Sequence, residues 1–167
     1  MHIIGNAEAN GLIVQSIVAG SGIFENRARM ILREKGIVEM DEHGWFPLLA
    51  VLETLAELKR TIGKEIICEI GKSVALRTNH IEGVETFEQA LRSLNEIYLL
   101  NHRGVTDKVV YECVQLTTKQ FQIRCFNLYP VHFNLGILRG MARKYSDLVR
   151  IESLPSELAG GEFKVLL

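Results

Sequence analysis

The sequence predicts an α+β fold in which a helical N-terminal half packs on a small antiparallel sheet. Between residues 24 and 101, apolar residues recur at helical spacing in several segments. From residue 108 onward, short alternating segments flank one further helical segment, which gives a β-β-α-β-β order. The helix predicted for residues 129–145 separates the two pairs of strands. We therefore expect the C-terminal half to be built around it.

Composition places the chain among globular proteins. It has 167 residues, of which 47% are apolar and 23% charged, with a net charge of -1 at pH 7. We expect one domain, residues 1–167, with a substantial core. The low net charge gives no electrostatic reason to expect nucleic-acid binding. There is no signal peptide and no apolar run of roughly 18 residues, so a cytoplasmic protein without a membrane span is expected.

The N-terminal half is predicted to contain helices at residues 24–35, 47–62, 65–80 and 86–101. The second is the clearest, because its apolar stripe is formed by Leu48, Val51, Leu52, Leu55 and Leu58. Gly36 and Gly63 suit helix ends, and either Thr86 or Glu85 is the candidate cap at the start of the fourth helix. Residues 1–22 stay unassigned. Within them, residues 12–18 fit either a strand or a short helix, and the segment is also a candidate strand for a second subunit.

The C-terminal half is predicted to form a sheet around the central helix. Strands are predicted at residues 108–116, 121–128, 149–153 and 162–167, with a hairpin at 117–119 and a loop at 155–161. The apolar stripe of the helix consists of Phe133, Ile137 and Met141. Pro130 suits its first position, where a missing N–H costs nothing. Gly136 and Gly140 lie on one side, where the lack of a Cβ atom lets another backbone approach closely.

Motifs for catalysis or metal binding are absent from the sequence. There is no P-loop, Rossmann fingerprint or H-E-x-x-H motif, so we expect neither an enzyme nor a metal site. Cys68, Cys113 and Cys125 form no C-x-x-C pair and are predicted to be buried thiols. His102 is predicted to be a charged cap at a helix C-terminus, and His132 is predicted to face solvent. The apolar and aromatic residues favour an apolar ligand pocket between the helices and the sheet.

The order of helices followed by β-β-α-β-β resembles the H-NOX fold of haem–nitric-oxide-binding domains. It is also similar to vinyl-reductase-type hydrocarbon-binding domains and to TRAPP vesicle-tethering subunits. The resemblance is carried by residues 133–145 and by the strands at 148–152 and 161–165. Residues 91–98 (LRSLNEIY) are similar to the helix that carries the proximal histidine of haem. The resemblance implies a sensor or regulatory domain.

Two motifs of the H-NOX family differ in this chain. By this resemblance the proximal-histidine position falls on Tyr98 or within one or two residues of it, and His102 follows one helical turn later. The family's Tyr-x-Ser-x-Arg motif, which holds the haem propionates, is absent from residues 123–127 (IRCFN). Arg124 is one residue out of phase and is expected to point to the other face of its strand. We therefore expect no cofactor, and haem with Tyr98 or His102 as its axial ligand is the alternative.

The predicted function is a non-catalytic sensor or regulatory domain that binds a small apolar ligand without haem. The residues predicted to contact the ligand are Trp45, Leu52, Leu94, Tyr98, Cys125, Phe133 and Ile137. Tyr98 and Cys125 would supply the polar contacts. Ligand binding is expected to shift the helices on the sheet, and a separate signalling protein is expected to read that shift. The alternatives are a haem-binding sensor of NO or O₂ and a dimeric protein-interaction scaffold without a ligand. A second copy of this chain, in a homodimer, is a further candidate partner.

Overall fold

The computed structural model describes residues 4–145 and 148–167 and confirms the predicted α+β fold. Its helices are α1 (Gly11–Gly20), α2 (Glu25–Glu34), α3 (Leu48–Thr61), α4 (Lys64–Arg77), α5 (Phe87–Arg92), α6 (Leu94–Asn101) and α7 (Val131–Lys144). Its strands are β1 (Glu8–Asn10), β2 (Trp45–Pro47), β3 (His102–Arg103), β4 (Tyr111–Thr117), β5 (Gln120–Cys125), β6 (Arg150–Leu154) and β7 (Glu162–Leu166). A short 3₁₀ helix, Gly22–Phe24, joins α1 to α2. In the described residues, no helix is long and apolar enough to cross a membrane.

The segment predicted as one helix at residues 86–101 is two helices, and that prediction is wrong. Of the two candidate caps, Thr86 is the one that the structure shows: its hydroxyl accepts from the Gln89 N–H, and the Gln89 side chain accepts from the Thr86 N–H. The backbone then breaks at Ser93, whose N–H donates to the Ala90 carbonyl three residues back. This tighter turn separates α5 from α6.

The N-terminal segment, unassigned from sequence, contributes both a strand and a helix. β1 pairs antiparallel with β2 and β3, which gives a three-stranded sheet in the order β2-β1-β3. The Asn10 side chain accepts a hydrogen bond from the Ile13 N–H and caps α1. Residues 12–18 are therefore helical, and the strand before them pairs within this chain. Residues 1–3 of the unassigned segment lie outside the described residues.

The predicted C-terminal sheet has the strand order β4-β5-β7-β6 and is antiparallel throughout. Its buried face carries Tyr111, Phe121, Ile123, Cys125, Phe163 and Val165. Arg124 points to the opposite face, as predicted, where its guanidinium lies 3.0 Å from a Glu112 carboxylate oxygen and 3.1 Å from one of Glu162. Strand alternation therefore puts one face of the sheet in the core and leaves ion pairs on the other.

α7 packs against α4 through glycine-to-glycine contact, and this confirms the predicted close approach. A Cβ atom placed on Gly136 would lie only 2.9 Å from the Gly71 Cα atom. A Cβ atom on Gly140 would lie 2.8 Å from the Lys72 carbonyl oxygen. The predicted position of Pro130 is wrong by one residue. It is the N-cap, with ψ of 150°, and the helix begins at Val131.

The substitution Gly136→Ala is expected to lower the free energy of unfolding by about 2 kcal/mol, a typical cost of overpacking. At an open helical position the same change would instead raise helix stability by roughly 1 kcal/mol. The sign of the effect therefore reports the contact with α4. Urea unfolding followed by circular dichroism measures it. Arg143→Ala, at an exposed position of the same helix, should change stability by less than about 0.5 kcal/mol. A stabilised Gly136→Ala protein would contradict the close packing.

Candidate functional site

A cavity of about 50 Å³ lies between α4, α6 and α7. Its wall is mostly apolar and includes Val74 and Ala75 from α4, Leu94 from α6, and Ile137 and Met141 from α7. One water molecule needs roughly 10–15 Å³ of such volume, whereas pockets for drug-sized ligands hold about 300 Å³ or more. In this conformation the cavity is the size of a very small ligand.

His102 is the buried imidazole in the cavity wall. It is 7% exposed, and its ring stacks on that of Tyr98 with centroids 3.7 Å apart. Its Nδ1 lies 2.8 Å from the Tyr98 carbonyl oxygen, and its Nε2 lies 2.8 Å from the Tyr129 hydroxyl. Because a carbonyl can only accept, Nδ1 must carry the proton. Nε2 is then the basic nitrogen, and the Tyr129 hydroxyl donates to it.

The sequence prediction that His102 is a charged helix cap is wrong. Burial lowers the pKa of His102 from 6.5 to about 4, although its hydrogen bond to the Tyr98 carbonyl acts in the opposite direction. The imidazole does bind a carbonyl in the last turn of α6, as a cap would. It does so as a neutral donor, because the loss of hydration outweighs the attraction of the helix terminus.

Tyr98, the other predicted axial ligand, stays protonated at neutral pH. Burial raises the pKa of its hydroxyl, and the negative charge of Asp107 raises it further. Ligation as a tyrosinate would have to overcome both effects. His102 presents an unprotonated Nε2 without losing any proton, so its chemistry suits a metal centre better.

Asn101 fixes the backbone next to His102. Its Oδ1 accepts hydrogen bonds from Asn10 Nδ2 at 2.7 Å and from the Asn79 N–H at 3.1 Å. Its Nδ2 donates to the carbonyls of Asn79 and Ile97, at 3.0 and 2.8 Å. Through these bonds, the end of α6 is tied to the cap of α1 and to the segment that follows α4.

A second buried network fixes the sheet to α7 beside the cavity. The Tyr111 hydroxyl donates to Asn134 Oδ1 at 2.6 Å. Asn134 Nδ2 donates to Asn127 Oδ1 at 3.0 Å and to the Gly160 carbonyl at 2.9 Å. Tyr111 lines the cavity, so its ring is held in place from both the strand and the helix.

The structure places four of the predicted contact residues in the cavity wall: Leu94, Tyr98, Phe133 and Ile137. Their role as ligand contacts stays a prediction. The other three lie elsewhere. Trp45 is half-buried in β2, with the Arg103 guanidinium 4.7 Å from its ring centre. Leu52 packs on the core from α3. Cys125 is fully buried at the end of β5, and burial raises the pKa of its thiol.

Sequence reasoning missed two features of the site, its buried polar residues and its mouth. Asn101 and Tyr129 are polar residues whose partners lie far away in the chain, so no local spacing reveals them. The exposed side chains of His80 and Lys144 line the outer end of the cavity and mark its mouth. They lie at the ends of two helices that the fold brings together. The prediction that His132 faces solvent is wrong for its Nδ1, which is buried and has no hydrogen-bond partner among the described residues.

Comparisons with solved structures identify the fold. No family model matches the sequence, and no curated protein does. The chain is similar to an oxygen-binding H-NOX domain related to soluble guanylate cyclases, with TM-score 0.66 and 15% identity over 94% of each chain. A structure concerned with haem redox potential and porphyrin distortion has TM-score 0.65 and 12% identity over 95% of this chain and 99% of that chain. One on H-NOX activation has TM-score 0.59 and 14% identity over 93% and 94%, respectively. The chain has the H-NOX-like fold.

The sequence prediction that no cofactor is expected is contradicted by these similarities, because structures that share this fold concern haem. The prediction was drawn from the missing Tyr-x-Ser-x-Arg motif. That motif describes one way to hold propionates. Its absence therefore does not decide whether a side chain in the cavity wall can bind iron.

Among the described residues, His102 would be the one to hold a haem iron. His102 Nε2 is an unprotonated imidazole nitrogen in an apolar wall, the kind of donor that iron takes in haem proteins. Tyr129 would have to release Nε2. A cavity of about 50 Å³ would also have to widen to admit the macrocycle.

The low pKa of His102 predicts that the protein loses stability as the pH falls from 6.5 towards 4. In this window the unfolded chain binds a proton at His102 and the folded chain does not, so protonation favours unfolding. The full effect is about 3 kcal/mol at roughly 1.4 kcal/mol for each pKa unit. Urea unfolding at a series of pH values measures it.

The substitution His102→Gln provides the control, since glutamine keeps hydrogen-bonding groups and does not titrate. The pKa of Glu162 is lowered chiefly by its hydrogen bond from Ser156. Protonation of such carboxylates in acid lowers the folding stability of both proteins alike. The difference between the two curves therefore isolates His102. If the curves run parallel between pH 6.5 and 4, the burial of a neutral His102 is disproved.

Proposed function

We propose that this chain is a sensor domain for a small apolar ligand such as a diatomic gas, with haem as its cofactor and His102 as the axial ligand. One observation carries the proposal: a neutral imidazole, with Nε2 as its unprotonated nitrogen, lies in the wall of an apolar cavity. The H-NOX-like fold supports it, since a similar structure is an oxygen-binding domain. No reaction is part of this function, and the whole of residues 1–167 would act as one sensor domain.

The residues around His102 would prepare it for an iron centre. The Tyr98 carbonyl holds the proton on Nδ1, which fixes the tautomer and the orientation of the ring. The apolar wall excludes water. When bound, haem supplies an iron with a coordination position for the gas. Without haem the Tyr129 hydroxyl satisfies Nε2, and with haem the iron would take the place of that hydroxyl.

The hydrogen bonds of Asn101 give ligand binding a route to the surface. Asn101 is next to His102 in the chain, and its side chain bonds to Asn10 and to the Asn79 backbone. A shift of His102 would therefore displace the cap of α1 and the segment after α4. A separate signalling protein would read the new position of these elements.

Titration of the protein with hemin tests the proposal. We expect a Soret band that saturates at one hemin per chain. His102→Ala should abolish the band, because it removes the axial nitrogen. Tyr98→Phe keeps the backbone carbonyl that orients His102, and the band should persist. A protein that never develops the band refutes the proposal. A band that survives His102→Ala and is lost in Tyr98→Phe would transfer the axial role to Tyr98.

The substitution Tyr129→Phe tests the competition at Nε2. It removes the hydroxyl that occupies this nitrogen and leaves a buried acceptor without a partner, at a cost of about 1–3 kcal/mol. Because iron would relieve that cost, hemin should bind roughly tenfold more tightly. A weaker affinity in this variant would mean that Tyr129 supports the cofactor rather than competing with it.

A further inference from the structure

The mouth of the cavity differs in charge from the rest of its wall. Lys144, at the end of α7, and His80, just after α4, both line the cavity and are exposed to solvent. Tyr145 lies beside them and is half-buried. Deeper in, the wall is formed by apolar side chains such as Val74 and Met141. The cavity therefore has an apolar interior and a basic opening.

No carboxylate among the described lining residues neutralises the positive charge at this mouth. Among the described residues that line the cavity there is no aspartate or glutamate, and Lys144 is the only lysine or arginine. Lys144 also makes no ion pair in the part of the chain that the structure describes. Many other basic side chains in these residues are paired with carboxylates, for example Arg124 with Glu112 and Glu162.

The two basic groups also act on each other. Burial lowers the pKa of His80, and the positive charge of Lys144 lowers it further, which places the two groups within electrostatic reach. Burial lowers the pKa of Lys144 as well. An anion seated between them would favour the charged form of both groups and remove their mutual repulsion.

We propose that the ligand or cofactor of this cavity carries a carboxylate on an apolar body, and that the carboxylate binds at the mouth between Lys144 and His80. The inference rests on the proposed function, because it concerns the same cavity. Two sources share this chemistry: the propionates of haem and a free carboxylic acid with a short hydrocarbon chain. The Tyr145 hydroxyl is the further hydrogen-bond donor at the mouth.

The first experiment compares hexanoate with hexanol, which has the same chain and no charge. Isothermal titration calorimetry gives the affinities, and NMR shows which side-chain signals move. We expect hexanoate to bind roughly tenfold more tightly than hexanol, about the contribution of one charge-assisted hydrogen bond. It should perturb the signals of His80. Lys144→Met should remove the preference, and Lys144→Arg should keep it.

The second experiment compares hemin with its dimethyl ester, in which both propionates are neutral. If the propionates bind at the mouth, esterification should weaken binding to the wild-type protein severalfold. It should have little effect on Lys144→Met. The readout is the dissociation constant, with the Soret band only as its signal. Lys119→Met removes an exposed lysine in the hairpin far along the chain from the mouth, and should behave like wild type in both experiments.

The outcomes separate this inference from the proposed function. If hemin or hexanol binds but charge makes no difference, the cavity is a ligand site and the carboxylate inference is overturned. If hexanoate alone shows the charge preference, the ligand is a free acid, and if hemin alone shows it, the carboxylates are the propionates. If none of the four compounds binds, both the proposed function and this inference fail.

Discussion

The contact between Gly71 and Gly136 determines how closely α4 and α7 pack. With no side chains between them, α4 and α7 approach until their backbones touch. The residues one and two turns further along each helix then face each other across the cavity. A larger residue at either glycine would spread the helices and change the cavity wall. Packing of two glycines therefore sets the dimensions of the site without contributing any chemistry to it.

His102 gives the apolar interior of this cavity a basic nitrogen. Three contacts decide its state: the Tyr98 carbonyl fixes the proton on Nδ1, the Tyr129 hydroxyl covers Nε2, and the Tyr98 ring shields one face. Burial then keeps the ring neutral. Asn101 extends this arrangement to α1 and to the segment after α4. The same residues that hold the imidazole could thus carry a change in its position to the surface.

The missing motif and the fold lead to opposite conclusions about haem. The strand before α7 lacks the Tyr-x-Ser-x-Arg motif, and from that absence the sequence predicted a protein without haem. Structures that share the fold concern haem, and a suitable nitrogen is present at His102. At the cavity mouth, Lys144 is a cation that the motif does not include. A motif search tests one arrangement of anchoring groups, whereas the electrostatic requirement of a carboxylate is met by any suitably placed cation.

The sequence by itself determined most of the helices and strands, their α+β class, and the close packing at Gly136. These follow from signals within a few residues: apolar periodicity, the capping box at Thr86, the hairpin after β4, and glycines one turn apart. It missed β1, β2 and β3, because strands of two or three residues are too short to show alternating hydrophobicity. They are defined by pairing with segments far away in the chain. It also grouped Trp45, Leu52 and Cys125 with residues that line the cavity, because residue type alone does not show where a side chain packs.

Only the tertiary structure decided which buried groups meet. The protonation of His102, the bonds of Asn101 and the basic mouth at Lys144 depend on residues far apart in the chain. Hydration and Coulomb energies are set by distance in space, and sequence spacing does not carry that information.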